Sequence, residues 1–326
     1  MCLILNDPLS AKVQRFFKAL LSLEAIVLCR SARGEYTMMR RWMSLAIFLC
    51  APVLHSGEAD DAARIHHERG VEFHVRRCLD EASREYAAAL KLDPPTGPTA
   101  AQIKLAERFL PRLYVTPTEP FKLQDFAVIL HPTRRLIAYH LFWEDDIDFP
   151  EDNDPCDHEV VWVEYAEDGQ TLARCSAYFH GRLVPGGAEA LKDARAHQGR
   201  PRVNIQWGKH GSVLLGWEKL PIVANEGDSE KGYYPVNRPV TMLDYNRGTY
   251  EKLSKEGRRL PEHPLGKSWP RKFSGSWEAF VDFSKLIDPQ ELFSSRKMIQ
   301  VSRWNSATIN QHFLRYNFRP KTEWPD

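Results

Sequence analysis

Residues 136–143 read LIAYHLFW, residues 159–165 read EVVWVEY and residues 172–180 read LARCSAYFH. These runs are rich in Val, Ile, Tyr, Phe and Trp and are separated by Gly, Pro, Asn and Asp, a pattern typical of antiparallel sheets. The same pattern marks three more candidate strands, Arg202–Trp207, Ala279–Phe283 and Ile299–Trp304. No glycine-rich phosphate loop and no recurring strand-helix alternation occur. We therefore predict a mainly β fold, an antiparallel β-sandwich over residues 99–326 with long loops, especially in residues 225–270.

A short α-helical hairpin is predicted before the sandwich, in residues 60–98. Ala, Leu, Glu and Arg dominate this stretch until Pro94 ends it. It resembles a single tetratricopeptide repeat, whose small, aromatic and terminal positions are matched by Gly70, Phe73, Ala82, Tyr86, Ala89 and Pro94. Because one repeat cannot bury its own face, we expect the hairpin to dock on the main domain, with partner docking as the alternative.

The amino end has the construction of a secretory signal peptide over residues 38–59. Met38–Arg41 form a basic start, Trp42–Leu54 form an uncharged apolar run, and Gly57–Ala59 offer small residues for cleavage. A buried core helix is the alternative. Residues 1–37 are then a doubtful N-terminal extension, since a signal peptide begins near the start of translation. We predict an extracytoplasmic protein, either periplasmic or secreted.

Charge and hydropathy argue against two classes of partner. Lys and Arg total 44 and Asp and Glu total 43, so no global field attracts nucleic acid. No uncharged apolar run reaches the length of about 18 residues that predicts a stable membrane span.

Three cysteines remain after signal removal: Cys78, Cys156 and Cys175. Cys156 and Cys175 are the only nearby pair, but simple hairpin register places Cys175 opposite Val161, so a bridge between them stays an open question.

An acidic loop follows the first strong strand. Trp143–Glu159 contains nine carboxylates in 17 residues, which repel one another unless a cation compensates them. Carboxylates and irregular backbone suit calcium, magnesium or manganese, although the spacing is not that of an EF-hand. A solvated acidic loop is the alternative interpretation.

Two further features point to a site near this loop. Asp157 and Glu159 share one face of the following strand with side-chain bases about 7 Å apart, so both can reach one ion. His180-Gly181 and His210-Gly211 each end a predicted strand and can bring histidines to the same sheet edge.

The order of four segments resembles the necrosis-inducing-protein-like superfamily over residues 136–212. The segments are Ile137–Trp143, Cys156–Val163, Ala177–Gly181 and Arg200–Ile205 followed by His210. The resemblance implies a β-sandwich cytolysin fold and a metal site in which Asp157 and Glu159 are ligands, with Asp146 and Asp154 at upstream ligand positions. His158, Cys156 and Asp154 replace the family's Trp, His and His, so the resemblance implies the fold and the metal site rather than cytolysis.

Three functions follow from these features. The first is an exported binding protein whose divalent ion and aromatics such as Trp143, Trp207 and Trp217 engage a glycan, a glycolipid or lipid headgroup, or a protein surface ligand. The second is a metal-dependent hydrolase, in which His180, His210 or Glu159 transfers protons. The third is an envelope scaffold with a structural metal and a partner-docking hairpin.

Overall fold

The computed structural model describes residues 61–147, 157–223, 239–256, 275–313, 321 and 324–326. The predicted extension (residues 1–37), the predicted signal peptide (residues 38–59), Asp154 and Cys156 lie outside these ranges. In chain order the elements are α1 (61–75), α2 (Leu79–Leu92), α3 (Ala100–Arg108), β1 (Arg112–Val115), β2 (Leu123–Leu130), β3 (Leu136–Trp143), β4 (Asp157–Tyr165), β5 (Leu172–Phe179), β6 (Arg182–Pro185), α4 (Ala188–Ala196), β7 (Arg202–Ile205), β8 (Ser212–Leu214), a 3-10 helix (Trp217–Lys219), β9 (Pro221–Val223), β10 (Pro239–Thr241), α5 (Met242–Glu256), α6 (Trp277–Phe280), β11 (Lys285–Ile287), α7 (Gln290–Arg296), β12 (Ile299–Val301) and α8 (Asn305–Phe313).

The largest sheet has six strands in the order β12-β2-β3-β4-β5-β6. Its centre, β2 to β5, is an antiparallel meander, and the three quoted sequence runs predict β3, β4 and β5 but not β2. Every residue of β3 is buried, so apolar side chains cover both faces of the central strands. A four-stranded sheet has the order β11-β1-β7-β8, and β9 pairs with β10.

One hydrophobic core joins the two larger sheets. Val128, Tyr139 and Val161 from the six-stranded sheet belong to the same buried cluster as Leu113 and Val203 from the four-stranded sheet. Residues of α3, α4 and α7 also enter this cluster. The phenol of Tyr139 satisfies its polar end by donating to the carbonyl of Ala106 at 2.9 Å.

The predicted β-rich fold with preceding helices is confirmed, but a purely antiparallel β-sandwich is not. The protein is β-rich with a helical region before the strands, but its sheets are mixed, because β12 pairs with β2 and β1 pairs with β7 in parallel. Helices, moreover, form a substantial part of the packing. A parallel pair needs a long crossover connection, and the composition of a short strand does not show which distant strand it will join.

Three local predictions are wrong. Ala279–Phe283 is not a strand: α6 occupies Trp277–Phe280, and its first turn is capped by the hydroxyl of Ser276. The loop-rich stretch 225–270 contains the helix α5. Cys175 pairs with Val163 rather than Val161, because the turn is longer than a tight hairpin and the register shifts between Glu164 and Tyr165.

No helix within the described ranges is long and apolar enough to cross a membrane.

The helical hairpin packs against the carboxyl-terminal helix. Ala82 and Tyr86 of α2 form a small core with Ala307 of α8, and Trp304 packs against it. The His67 ring stacks on Trp304 with centroids 5.0 Å apart. The chain therefore supplies a third helix to a hairpin that could not bury its face alone.

Gly70 is required where α1 meets α2. A Cβ at this position would lie 2.5 Å from Cδ1 of Tyr86, whose side chain is fully buried. We predict that Gly70→Val lowers the free energy of unfolding by about 1–3 kcal/mol through overpacking, measured by denaturant unfolding. Gly97→Val is the control, because a Cβ there meets nothing within 4 Å, and equal losses in both variants would contradict the packing explanation.

Candidate functional site

Three of the predicted metal-binding carboxylates, Asp146, Asp157 and Glu159, belong to the described residues and lie around one end of the six-stranded sheet. Trp143 ends β3 and pairs with Asp157, which begins β4, so the acidic loop connects the two strands at this end. Pairing of β4 with β5 begins only at Val161. Ile147, early in the loop, donates its backbone N–H to the carbonyl of Gly208 at 2.6 Å. This bond ties the loop to the turn between β7 and β8.

His210 lies in that turn, fully buried between two carboxylates. Its Nδ1 donates to Oδ2 of Asp157 at 2.9 Å, and its Nε2 donates to Oε1 of Glu119 at 3.2 Å. The Trp143 ring stacks on the imidazole with centroids 4.2 Å apart. A ring held by carboxylates at both nitrogens is an imidazolium, since both N–H groups must donate.

The electrostatics of this cluster agree with its geometry. Burial alone would lower the pKa of His210, but the charges and hydrogen bonds of Glu119 and Asp157 raise it to about 10. Burial opposes the ionised form of Asp157, but the hydrogen bond and charge of His210 outweigh it and lower that pKa below its usual range. His210 is therefore a fixed cation at neutral pH and is unsuited to act as a general base.

Glu119 is a member of the site that the sequence reasoning missed. Its side chain is only 2% exposed, and its two oxygens accept the backbone N–H groups of Phe121 at 3.1 Å and Gly208 at 2.9 Å. In sequence it is an isolated glutamate between two prolines, Pro117 and Pro120, far from the acidic loop. Only the folding of the β7–β8 turn over this segment reveals its role.

Glu159 pairs with a lysine from the end of the chain. Nζ of Lys321 lies 3.3 Å from Oε1 of Glu159 and 4.3 Å from the centroid of the Tyr178 ring. Burial raises the pKa of Glu159 to about 8, Lys321 acts in the opposite direction, and the charge of Asp157 acts in the same direction as burial. Oε2 of Glu159 is buried and has no hydrogen-bond partner among the described residues. The positive charge of Lys321 therefore offsets only part of the cost of burying an ionised Glu159.

Asp146 pairs with another protein cation, Lys209. Nζ of Lys209 lies 3.4 Å from its Oδ2, and both side chains are largely buried. Asp146, Asp157 and Glu159 therefore face three different protein cations, rather than one another around an ion. Within the described ranges, no group of three or more His, Cys, Asp or Glu side chains is placed to hold a metal ion.

The two His-Gly pairs do meet, but only His180-Gly181 directly follows a strand, β5, whereas His210-Gly211 lies in the turn before β8. Their histidines enter different networks. Nε2 of His180 lies 2.6 Å from Oε1 of Gln206, whose amide donates to Asn246 at 2.7 Å. A Cβ on Gly211 would lie 3.0 Å from the same Nε2, so the second His-Gly pair packs against the first histidine. His210 instead turns toward Glu119 and Asp157.

The side chain of His158 lies on the opposite face of the sheet from those of its β4 neighbours Asp157 and Glu159. Its Nε2 lies 2.9 Å from Nδ1 of His140, and its ring stacks on Phe142 with centroids 4.7 Å apart. Burial lowers the pKa of His158 well below its usual range and lowers that of His140 to about 3, so both rings are neutral. His158 is thus part of the packing between β3 and β4.

A cavity of about 430 Å³ lies between the four-stranded sheet and the α5 and α6 helices. Its aromatic lining comes from Trp217, Trp277 and Phe283, and its polar lining includes Arg202 and Asn204. Trp143 and Trp207 do not line it. Trp143 is fully buried in the core, and Trp207 is almost completely buried in a separate cluster.

No protein-family profile and no curated protein matches the chain. A solved structure, that of Necrosis and Ethylene inducing Protein 2 from the causal agent of cocoa's Witches Broom disease, is similar at a TM-score of 0.27 and 10% identity, over 50% of this chain and 83% of that one. A likeness at this TM-score carries no argument about site or activity.

Removing the imidazolium should leave two buried carboxylates facing one another. We predict that His210→Gln costs about 3–5 kcal/mol of unfolding free energy at pH 7, as expected when one partner of a buried ion pair is lost. Because the folded pKa of His210 is raised, its contribution is complete below the unfolded pKa and is lost as pH rises toward about 10.

The measurement is denaturant unfolding from pH 6 to about pH 10, in which the loss of stability should be steeper for wild type than for the variant. His197→Gln is the control, because its side chain is 47% exposed. Parallel pH profiles for wild type and His210→Gln would rule out the imidazolium assignment.

Proposed function

We propose that this protein is an exported ligand-binding protein in which a divalent cation, calcium or magnesium and less favourably manganese, is held at the end of β3 and β4. Asp157 and Glu159 would supply two ligands, and the acidic loop would supply Asp146 and Asp154. The observation that carries the proposal is Glu159: a buried carboxylate with one oxygen unpartnered among the described residues and a pKa raised to about 8.

The local balance of charge supports this proposal. Glu119, Asp157 and Glu159 bring three carboxylates to the cluster, while His210 and Lys321 bring two cations. The sequence from 144 to 159 adds further carboxylates and contains no Lys or Arg. Hard divalent cations prefer such oxygen ligands, and a bound ion would favour the ionised form of Glu159, whose pKa is raised to about 8.

The same cavity, which is open to solvent, is the place where we expect an organic ligand to bind. Its volume of about 430 Å³ lies within the range of about 300–1,000 Å³ that is common for small-molecule sites. Aromatic rings can pack against the C–H faces of a sugar, while the planar side chains of Arg202, Asn204 and Glu218 can pair with hydroxyl groups. A glycan or glycolipid headgroup is the ligand class that this lining favours. Two sheets that share one core are also compatible with a sandwich-type scaffold for such a site.

The geometry favours binding over the other two functions. A hydrolase would need a proton-transfer group at the carboxylate cluster. His210 is an imidazolium, His180 is hydrogen-bonded in a separate network, and Glu159, the third candidate, is buried beside Lys321 at 3.3 Å. A partner-docking scaffold would need an open hairpin face, and α8 packs against this hairpin.

Cation binding is tested by titrating calcium and magnesium into wild type, Asp157→Asn and Glu159→Gln. We predict that saturating ion at 100 times its Kd stabilises wild type by about 2.7 kcal/mol and that neither variant gains this stabilisation. Glu164→Gln is the matched control on the same strand, because Glu164 pairs with the exposed Arg174 rather than with the cluster. Isothermal titration and thermal unfolding supply the readouts. Equal ion-induced shifts in all four proteins would refute the site.

Ligand binding in the cavity is tested with a panel of neutral and acidic oligosaccharides. We predict that wild type retains at least one of them and that Trp277→Ala weakens this binding by about tenfold, the loss of one aromatic contact. Trp277→Phe, which keeps a ring, should retain most of the affinity. Binding that survives Trp277→Ala unchanged would exclude the cavity as the ligand site.

A further inference from the structure

Arg202 lies on the outer face of the four-stranded sheet and lines the cavity described above. Val203 and Ile205 of the same strand enter the core, so the alternation of β7 places Arg202 and Asn204 on the other face. Tyr114 of β1 pairs with Asn204 across the sheet. Cζ of Arg202 lies 4.0 Å from the centroid of the Tyr114 ring, and Arg202 is partly buried. An aromatic ring therefore supports the guanidinium beside the cavity.

Hydrogen bonds hold one side of this guanidinium and leave its end available. Nε donates to Oδ1 of Asn204 at 2.9 Å, and Nη2 donates to the carbonyl of Phe283 at 2.9 Å. Among the described residues, Nη1 and the second hydrogen of Nη2 have no acceptor, and neither has the amide nitrogen of Asn204, a residue only 3% exposed. Parallel N–H groups at the end of a planar fork match the two oxygens of a carboxylate.

The neighbouring arginines differ from Arg202 because they have carboxylate partners. Arg112 of β1 pairs with Asp193, and Arg200, which precedes β7, pairs with Asp288 at 2.8 Å. Arg202 forms no ion pair with any carboxylate in the described part of the chain. Removing a charge from water is costly unless an opposite charge compensates it. Arg202 is therefore a partly buried cation whose compensating anion can come from a ligand.

Two carboxylates that line the cavity limit the charge of that ligand. Glu218 and Asp282 are exposed, and neither forms an ion pair with Arg202 within the described ranges. One guanidinium compensates one negative charge, and the two carboxylates repel any further one. A carboxylate with a single charge therefore fits the cavity better than a phosphate group with nearly two.

We propose that Arg202 binds the carboxylate of an acidic sugar, so that the ligand of this cavity is a glycan that contains uronic acid. This inference rests on the proposed function, because it requires that a glycan occupies the cavity, and it names the class of glycan. The carboxylate accepts from the end of the Arg202 fork and from the amide of Asn204, while Trp277 and Phe283 pack against the sugar ring. The measurable consequence is a preference for the acid over its neutral ester.

The experiment uses oligosaccharides of galacturonic, glucuronic and mannuronic acid, each beside its methyl ester, which keeps the rings and removes the charge. Each pair is titrated calorimetrically into wild type, Arg202→Gln, Arg202→Lys and Arg174→Gln. We expect wild type to bind at least one acid about 10- to 100-fold more tightly than its ester, the range for hydrogen bonds to a charged group. Arg202→Gln should lose this preference, and Arg202→Lys, which keeps the charge without the fork, should retain part of it.

Arg174→Gln is the matched control for the loss of one positive charge. The Arg174 side chain is 66% exposed and pairs with Glu164 on the six-stranded sheet, so this variant should keep the wild-type preference. The comparison of acid with ester on wild type does not require any variant to fold.

Equal binding of acid and ester by wild type would overturn the inference, as would binding of neutral oligosaccharides alone. The proposed function would then stand if Trp277→Ala still weakens the binding that is seen. A folded Arg202→Gln that keeps the preference for the acid would also overturn the inference. If wild type binds neither the acids, nor the esters, nor the neutral oligosaccharides, the proposed glycan site and the inference both fail.

Discussion

The end of the sheet depends on one buried cation, the imidazolium of His210. It joins the segment after β1, through Glu119, to the start of β4, through Asp157, while Trp143 covers its face. Removing charged groups from water costs several kcal/mol for each ion, which is offset only when every donor and acceptor is satisfied. Both ring nitrogens are satisfied, and His210 adopts a positive φ of 52° to reach this position. The two hydrogen bonds of His210 therefore fix the relative positions of three segments that are distant in sequence: the segment after β1, the start of β4 and the β7–β8 turn.

The part of the fold that was predictable from sequence is the part with strong local patterns. The β3, β4 and β5 strands are long runs of β-branched and aromatic residues, and their neighbours in sequence are their neighbours in the sheet. The short strands β1, β7 and β12 pair in parallel with distant partners, and a run of three or four residues does not specify such a partner. The sequence predicts a strand where α6 lies, because aromatic residues spaced three apart suit either structure when only five residues are considered.

The candidate site was predictable only in part. Acidic residues at the start of β4 and histidines at two turns marked the correct end of the sheet, since strand ends and turns can be read from sequence. Their partners could not be predicted. Glu119 and Lys321 come from segments that carry no local signal, and both are brought into place by tertiary packing. The same packing directs three of the predicted metal ligands, Asp146, Asp157 and Glu159, toward protein cations, which a charge count along the chain does not reveal.

The late position of β12 and α8 in the chain bears on how the molecule acquires its structure. β12 supplies the edge beside β2, and α8 packs against α2 near the opposite end of the described chain. The entropy of closing such long loops must be offset before these contacts can stabilise anything, so they form slowly and late. Until the carboxyl end has been synthesised, β2 lacks its edge partner. A nascent or truncated chain therefore exposes an unpaired apolar strand, which is the form most prone to aggregate during expression.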